Sequence, residues 1–203
     1  MKQEVLLIRH GKTLGNLGKK YIGAKTDEPL CKKGRMELTK WKNQGYYPTV
    51  DRIYSSPMKR CIQTAKLLYP SQPLVIVSGL KECDFGRFEG KSYEELKENS
   101  DYQAWLNSNG TLPFPGGEEQ EKFRSRSCEA FLHILADLSG EQKCAIICHG
   151  GTIMAILEKF SLPHQSFYHW QVKNGLGYHL EFNNEKKTAS KIITLEEYRA
   201  WKY

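Results

Sequence analysis

Short apolar runs alternate along the chain with longer amphipathic stretches of helical spacing. The runs that predict strands lie at residues 5–8, 50–55, 74–77, 144–148, 178–182 and 191–195. The stretches that predict helices begin near Cys31 and end at Gly45, and run from Phe123 to Gly140 and from Thr152 to about Phe160. A further helix is predicted from Pro57, with Ser56 as its N-cap, to Pro70. A short helix is predicted at the end of the chain. Strands that alternate with helices are typical of a parallel sheet covered on both faces. We therefore expect an α/β fold, a three-layer α/β/α sandwich with a mostly parallel central sheet.

Residues 79–117 interrupt this alternation. They combine glycine, proline and acidic residues with two short helical segments, around residues 93–97 and 102–106. We interpret this stretch as a small helical and loop cap at about residues 84–120. A length of 203 residues, of which 39% are hydrophobic, is enough for one sizeable core. We expect a single domain over residues 1–203.

Neither a membrane span nor a disulfide framework is expected from this composition. No apolar stretch approaches the ~20 residues that a transmembrane helix needs, and the run at residues 5–8 is too short for a signal peptide. The six cysteines contain no CxxC pair, and a chain of this length does not depend on disulfides. We therefore expect a cytoplasmic protein with free thiols and no membrane partner.

Positive charge is concentrated near the N-terminus. The net charge is +7, and residues 1–42 contain eleven Lys or Arg against four Asp or Glu, whereas the remainder contains nineteen of each. Such an asymmetry indicates an anionic partner. Because no nucleic-acid-binding motif accompanies the basic residues, we expect a small anion as the partner and no nucleic acid.

Charged and titratable side chains follow the predicted parallel strands at the points where these strands end. Arg9 and His10 follow the first strand, Arg60 the second, Glu82 the third and His149 the fourth. Ligands of such sheets bind at the carboxyl edge, where loops lead into helix N-termini. The five side chains therefore predict one site that contains two histidines, two arginines and one acid.

Each of these residues also has a simpler explanation. Either histidine alone could be a hydrogen-bonded structural residue, and Arg60 could be a solvated surface arginine. Arg60 nevertheless lies in the first turn of a predicted helix, where cations are disfavoured, and a bound anion would explain it. His149 precedes Gly150 and Gly151, whose backbone N–H groups an anion can approach. Zinc is the weaker alternative because no third ligand stands at a suitable spacing, and we expect no metal.

The acid cannot be chosen by composition, because Glu82 shares its loop with Asp84 and Glu89. Any of the three could be a solvated charge. A carboxyl group that faces two arginines ordinarily titrates at low pH, so a proton donor here must be partly desolvated or hydrogen-bonded to the substrate.

Five ordered motifs connect the chain to a known family. They are LIRHGKTLGN at residues 7–16, SSPMKRCIQTA at 55–65, LKECDFGRFEG at 80–90, PGGE at 115–118 and CHGGT at 148–152. In order and in type they resemble the histidine phosphatase superfamily, which includes the cofactor-dependent phosphoglycerate mutases. The segments at residues 21–34 and 172–182 are similar to those of the α-ribazole phosphatase branch, which removes a phosphate during assembly of the lower loop of cobalamin.

The resemblance implies a role for each residue of the predicted site. His10 would be the nucleophile that becomes a phosphohistidine, and Glu82 the acid that protonates the leaving alcohol. The groups that would bind the phosphate or lie beside the substrate are Arg9, Asn16, Gly23, Arg60, His149 and Gly150. Two residues depart from the family pattern: Lys12 replaces a common acidic residue, and Glu119 stands where a serine commonly follows GGE.

Three functions remain open at this point. The leading hypothesis is a phosphomonoesterase that works through a phosphohistidine, without metal or cofactor, on a small phosphate ester such as α-ribazole 5′-phosphate. A phosphoglycerate mutase would use the same pocket, although the resemblance implies a longer cap for mutases than residues 90–115 provide. A non-catalytic phospholigand-binding module would need neither His10 nor Glu82. The sequence leaves the oligomeric state open, a homodimer included.

Overall fold

The computed structural model describes residues 2–139 and 142–202 and contains a six-stranded sheet. Its strands are β1 Lys2–Arg9, β2 Arg52–Ser55, β3 Leu74–Ile76, β4 Cys144–Cys148, β5 Gly177–Asn183 and β6 Thr188–Thr194. Its α-helices are α1 Leu14–Leu17, α2 Lys32–Asn43, α3 Lys59–Leu68, α4 Tyr93–Leu96, α5 Ser100–Asn107, α6 Gln120–Asp137, α7 Gly150–Phe160 and α8 Leu195–Lys202. Short 3₁₀ helices lie at Ser78–Leu80, Gly86–Phe88 and Phe167–Trp170.

The strands of the sheet lie in the order β3-β2-β4-β1-β5-β6. The first four strands in this order run parallel to one another. Strand β5 pairs antiparallel with β1, and β6 pairs antiparallel with β5. The α/β fold with a mostly parallel sheet is therefore confirmed.

Residues 5–8 of strand β1 are apolar without interruption because both faces of the strand are covered. Val5 and Leu7 belong to the core that includes buried residues of α6 and α7, whereas Leu6 and Ile8 belong to the core formed with α2 and α3. All four side chains are at most 1% exposed. Each such burial contributes about 1.5–3 kcal/mol to folding. This double cover explains why a continuous apolar run, rather than an alternating pattern, marks the strand in the sequence.

Helix α3 begins later than predicted. It starts at Lys59 with Met58 as its N-cap, so the prediction of Ser56 as N-cap and Pro57 as first helical residue is wrong. The hydroxyl of Ser56 lies instead 2.8 Å from Nε2 of His149. The predicted stop of α6 at Gly140 lies outside the described residues.

The C-terminal hairpin also differs from the prediction. Strand β6 starts at Thr188, which pairs with the last residue of β5 directly after the turn. Of its first three residues only Ala189 is buried, so the hydrophobic pattern does not reveal the start of the strand. Leu195, predicted as the last strand residue, is buried and begins α8.

The cap region around residues 84–120 contains α4 and α5 and has its own apolar cluster. Phe88, Tyr102 and Phe114 pack in this cluster with Phe123 of α6 and Ala155 of α7. The cap is thereby attached to the two helices that follow it in the chain. Within the described ranges no helix is both long and apolar enough to cross a membrane. All six cysteines are buried and free, as predicted.

Candidate active site

The two histidines and Arg60 meet at the carboxyl edge of the parallel strands. His10 follows β1 and His149 follows β4, and these strands are neighbours in the sheet. The two imidazole rings pack edge to face, with centroids 5.2 Å apart. His10 is 3% exposed, and Arg60 and His149 are completely buried. The neighbouring strand ends thus bring His10 against His149, and His149 in turn accepts a hydrogen bond from Arg60 of α3.

His10 is held as a neutral imidazole with one free ring nitrogen. Its Nδ1 lies 2.7 Å from the carbonyl oxygen of Gly11. Because a carbonyl oxygen only accepts, Nδ1 carries the proton and Nε2 keeps its lone pair. Burial lowers the pKa of His10 well below its ordinary value, and the nearby charges of Arg60 and Arg9 lower it further. Nε2 is therefore available as a nucleophile at neutral pH.

His149 is a neutral imidazole of the opposite tautomer. Nε of Arg60 donates to Nδ1 of His149 at 3.3 Å, so this nitrogen accepts. The proton then lies on Nε2, which donates to the hydroxyl of Ser56 at 2.8 Å. Burial lowers the pKa of His149 well below its ordinary value, with Arg60 as the next cause. Ser56 thus orients a site histidine, a role that its sequence position before a helix does not indicate.

Arg60 is anchored by backbone carbonyls of the loop that follows α1. Its Nη1 donates to the carbonyl of Thr26 at 2.7 Å and its Nη2 to that of Gly23 at 3.0 Å. Together with the bond to His149, these use three of its five N–H groups. The anion at the N-terminus of α3 is Asp27, whose carboxylate accepts from the backbone N–H of Lys59 at 2.7 Å. The side chain of Arg60 is therefore directed toward the site, and the helix end is neutralised independently.

Arg9 contributes a second guanidinium with an unused donor. Its Nη1 donates to the carbonyl of Val172 at 2.7 Å. Its Nε is buried and has no hydrogen-bond partner among the described residues. Burial lowers the pKa of Arg9, whereas the charge of Glu82 raises it. A buried guanidinium N–H without a partner is costly, so an anionic ligand at this point would stabilise the site.

Glu82 is the acid that the structure brings to the site. It is 7% exposed, and its two carboxyl oxygens accept from the backbone N–H groups of Cys83 at 3.0 Å and Gly151 at 3.1 Å. Burial raises the pKa of Glu82, although the two N–H groups and the two arginines act against this. A carboxyl group with a raised pKa is suited to proton donation.

The other two acids of the loop are placed differently. Asp84 accepts from the backbone N–H of Gly86 at 2.8 Å and forms an ion pair with Lys25 at 2.9 Å. The carboxyl oxygens of Glu89 are buried without a hydrogen-bond partner. Glu82 lines the cavity described below, and neither Asp84 nor Glu89 does so. The geometry therefore favours Glu82 among the three.

Gly151 leaves the space that the carboxyl group of Glu82 occupies. A Cβ at Gly151 would lie 2.4 Å from Oε1 of Glu82. Because this oxygen ends a flexible side chain, we expect Gly151→Ala to fold with a stability change within about 1 kcal/mol but to displace the carboxyl group. Turnover of esters with poor leaving groups should fall more than turnover of aryl esters, as steady-state kinetics can show. Gly18→Ala is a control, since its Cβ would meet nothing nearer than 3.6 Å; equal losses on both ester types would contradict the prediction.

The remaining predicted residues differ in how close they lie to the cavity. Asn16 and Gly150 line it, whereas Gly23 does not and instead supports Arg60 through its carbonyl. Sequence reasoning missed Asn174, whose side-chain amide donates to Oδ1 of Asn16 and to the carbonyl of His10, both at 3.2 Å. Its Asn-Gly dipeptide is a turn signal only, so nothing local indicates this role.

The two departures from the family pattern lie in different surroundings. Lys12 lines the cavity and forms an ion pair with Glu37 at 2.9 Å. Glu119 precedes α6 and pairs with Lys122 at 3.0 Å on the surface, away from the cavity lining. Lys12 is therefore the departure that can touch a substrate.

A cavity of about 760 Å³ opens beside Arg9, His10 and Glu82. Eight aromatic side chains line it: Tyr21, Trp41, Phe85, Trp105, Phe114, Phe123, Phe167 and Tyr168. The indole N–H of Trp105 is buried without a hydrogen-bond partner. Arg60 and His149 are not part of the cavity lining.

Across residues 2–139 and 142–202, no group of three or more His, Cys, Asp or Glu side chains is arranged to hold a metal ion.

An arginine and a histidine at the end of the first strand, with a second histidine after the neighbouring strand, form a site at the carboxyl edge of the sheet that suits the binding and transfer of a phosphate group. The chain belongs to the histidine phosphatase superfamily: the family model for branch 1 matches residues 5–194. The family resemblance seen in the five motifs is thereby confirmed, and the comparisons support a phosphatase activity.

Several known proteins are similar to the chain over nearly its whole length. The adenosylcobalamin/alpha-ribazole phosphatase of Escherichia coli is 25% identical over 90% of this chain and 91% of that protein. The 2,3-bisphosphoglycerate-dependent phosphoglycerate mutase of Bartonella quintana is 27% identical over 95% of this chain and 98% of that protein. The crystal structure of the alpha-ribazole phosphatase from Shigella flexneri superposes with a TM-score of 0.79 at 25% identity, and covers 92% of this chain and 93% of its own.

Proposed function

We propose that the chain is a metal-independent phosphomonoesterase that works through a phosphohistidine on His10. We further propose that its substrate is a phosphate ester of a bulky alcohol that carries an aromatic ring, with α-ribazole 5′-phosphate as the leading candidate. The observation that carries the proposal is the placement of His10, whose Nε2 keeps its lone pair, in the lining of a cavity that also contains eight Phe, Tyr and Trp side chains.

In the first step, Nε2 of His10 attacks phosphorus and the bond from phosphorus to the ester oxygen breaks. The carboxylic acid of Glu82 gives its proton to the leaving oxygen, which departs as the alcohol. In the second step, water attacks phosphorus, the bond to Nε2 breaks, and the carboxylate of Glu82 takes the proton from water. Inorganic phosphate leaves, and both residues return to their starting forms.

The charge on the phosphoryl oxygens is balanced by protein groups in this scheme. Arg9, which lines the cavity, offers its unpartnered Nε–H, and Arg60, which is buried outside the lining, acts through its charge on the site of His10. Two fixed guanidinium groups in a buried site stabilise the equatorial oxygens during transfer. The proposed chemistry therefore requires no metal ion.

The lining of the cavity favours a substrate whose alcohol carries an aromatic ring over one whose alcohol is small and charged. The benzimidazole ring of α-ribazole can pack against the aromatic walls, where edge-to-face and stacked contacts are favourable. Three lysines, Lys12, Lys20 and Lys173, also line the cavity and would suit a substrate carboxylate. Lys12 is already paired with Glu37, and Lys20 lies 3.8 Å from the carboxylate of Glu95.

A phosphoglycerate mutase is the second candidate, because two of the similar proteins carry that name. A mutase would keep water from the phosphohistidine and return the phosphoryl group to a different position of its substrate. The size of the cavity argues against a phosphoglycerate mutase, because phosphoglycerate would occupy only a small part of it. The transfer reaction nevertheless belongs in the same experiment.

The test compares four substrates in the presence of EDTA: α-ribazole 5′-phosphate, p-nitrophenyl phosphate, phosphoserine and 3-phosphoglycerate. We expect phosphate release from all but 3-phosphoglycerate, with kcat/KM for α-ribazole 5′-phosphate about 10- to 100-fold above that for phosphoserine because aromatic surface is buried. Loss of all release on chelation would contradict metal independence. Isomerisation of phosphoglycerate without net release would identify a mutase, and binding without turnover a non-catalytic module.

A matched pair of tryptophan variants tests the substrate class. Trp105 lines the cavity, whereas Trp201 of α8 is 87% exposed. Trp105→Ala should raise KM for α-ribazole 5′-phosphate by roughly 10-fold and leave that for phosphoserine nearly unchanged, and Trp201→Ala should change neither. Equal changes for both substrates would argue against recognition of an aromatic alcohol.

A further inference from the structure

Arg126 of α6 uses all five of its N–H donors on a single short segment and on Glu118. Its Nε and Nη2 donate to the two carboxylate oxygens of Glu118 at 2.6 and 2.8 Å. Its Nη1 donates to the carbonyls of Gly79 at 2.9 Å and Lys81 at 2.7 Å, and Nη2 to that of Glu82 at 2.9 Å. The guanidinium therefore holds the backbone of the residue that we assign as proton donor.

Glu118 fastens the same segment from its other side. Its backbone N–H donates to the carbonyl of Asp84 at 2.9 Å. Its carboxylate meanwhile fixes the orientation of Arg126 through a bidentate ion pair. The carbonyls of Lys81 and Glu82 thus accept from Arg126, and the carbonyl of Asp84 accepts from Glu118. Arg126 and Glu118 are the two partners of one ion pair. Glu118 is the last residue of the PGGE motif, to which the reaction itself assigns no role.

The segment needs this support because it has no regular secondary structure of its own. Residues 81–85 lie between two 3₁₀ helices and belong to neither a helix nor a strand. Within residues 2–139 and 142–202, the hydrogen-bond partners of the carboxyl group of Glu82 are the backbone N–H groups of Cys83 and Gly151. A displacement of about 1 Å in a catalytic group can lower the rate by about 100-fold. The position of the backbone of Glu82 therefore decides whether its proton can reach the leaving oxygen.

We propose that Arg126, oriented by Glu118, is the positioning residue of the proton donor Glu82. The inference rests on the proposed function, because it requires Glu82 to protonate the leaving alcohol. A lysine cannot replace the guanidinium, since its three donors lack the planar fork that reaches a carboxylate and three carbonyls at once. Loss of the guanidinium leaves the nucleophile His10 in place and frees only the backbone of the proton donor Glu82.

The test measures how the rate depends on the leaving group. Arg126→Lys should lower kcat/KM for an alkyl phosphate, whose alcohol is a poor leaving group, by about 10- to 100-fold. Its kcat/KM for p-nitrophenyl phosphate, which reports the transfer to His10 and not the second step common to all esters, should stay within about threefold of the wild type, because this alcohol leaves without a proton. Glu118→Gln, which keeps its shape but weakens the ion pair, should show the same selectivity in smaller measure. Circular dichroism and the melting temperature report whether each variant is folded.

Arg124→Lys is the matched control. Arg124 lies on the same helix, pairs with Glu158, and packs over the ring of Phe167 as Arg126 packs over that of Phe123. The exposed fractions of the two ion pairs are similar, at 33% and 25% against 27% and 21%. We expect Arg124→Lys to change both ester rates by the same small factor. If Arg124→Lys and Arg126→Lys both slow the alkyl ester more than the aryl ester, the effect comes from the stability of the helix and the inference is wrong.

A double variant separates a failure of the inference from a failure of the proposed function. In a Glu82→Gln background, Arg126→Lys should add no further leaving-group selectivity, because the group that it positions is already absent. If Glu82→Gln shows selectivity and Arg126→Lys lowers both rates equally, Arg126 is merely structural and the inference is wrong. If Glu82→Gln itself shows no selectivity, the role of Glu82 is wrong and the inference falls with it.

Discussion

The His10→Ala variant is expected to lose hydrolysis of every phosphate ester, by about 10⁴-fold or more, as is typical when a nucleophile is removed. The reason is that Nε2 of His10 forms the bond to phosphorus whatever the leaving group. Aryl and alkyl esters should therefore be affected alike. Steady-state phosphate release measures the loss. Trapping with a ³²P-labelled ester should show acid-labile phosphate on the wild-type protein and none on the variant.

His133→Ala is the control for this experiment. His133 is exposed on α6 and lies outside the cavity lining. Its replacement should change neither the rate nor the trapped phosphate. Labelled phosphate on His10→Ala at the wild-type level would show that another residue is the nucleophile, and the proposed mechanism would then be wrong.

The second large effect is expected for Glu82→Gln, and it should depend on the leaving group. An alkyl phosphate needs a proton on its departing oxygen, so its kcat/KM should fall by about 10²–10³-fold, within the range for general acids. The kcat/KM of p-nitrophenyl phosphate, which does not include the second step common to all esters, should fall only about fivefold or less. The amide nitrogen of glutamine would also face the N–H of Cys83 or Gly151, which should lower the free energy of unfolding by about 1–3 kcal/mol. Equal losses on both esters would contradict the role of Glu82.

The pH profile provides an independent readout of the same residue. Burial raises the pKa of Glu82 above its ordinary value of 4.5 and lowers that of His10 well below its ordinary value of 6.5, and both shifts widen the pH range in which the acid form of Glu82 and the neutral form of His10 coexist. As pH rises through the raised pKa of Glu82, the proton donor is lost and alkyl phosphate hydrolysis should fall. As pH falls, activity should persist below the ordinary histidine pKa of about 6.5. Glu82→Gln should lack the alkaline decline, and an unchanged decline would assign it to another group.

Much of the fold and the centre of the site could be predicted because their signals are local. The apolar run at residues 5–8 of strand β1 is followed by Arg9 and His10, and the apolar strand β4 is followed by His149. A strand buried on both faces has this appearance whatever surrounds it. The carboxyl ends of parallel strands share one edge, so the meeting of these residues follows from their position in the sequence.

The supporting residues carry no such local signal. Ser56 resembles a helix N-cap but hydrogen-bonds His149, ninety-three residues away along the chain. Arg126 resembles a polar residue on an amphipathic helix but holds the loop of Glu82, and Asn174 lies in a turn but bonds Asn16. Each of these contacts joins segments that are distant in sequence, and a polar side chain alone does not specify its partner.

The amino-acid sequence by itself determined the order of strands and helices, the apolar core of the sheet and the identity of the reactive groups, because hydrophobic periodicity and residue chemistry are properties of short segments. Only the tertiary structure decided the tautomers of His10 and His149, the choice of Glu82 over Asp84 and Glu89, and the aromatic walls of the cavity. These features depend on which groups approach within hydrogen-bonding or van der Waals distance and on how far burial removes them from water. Both conditions arise only when the chain is packed.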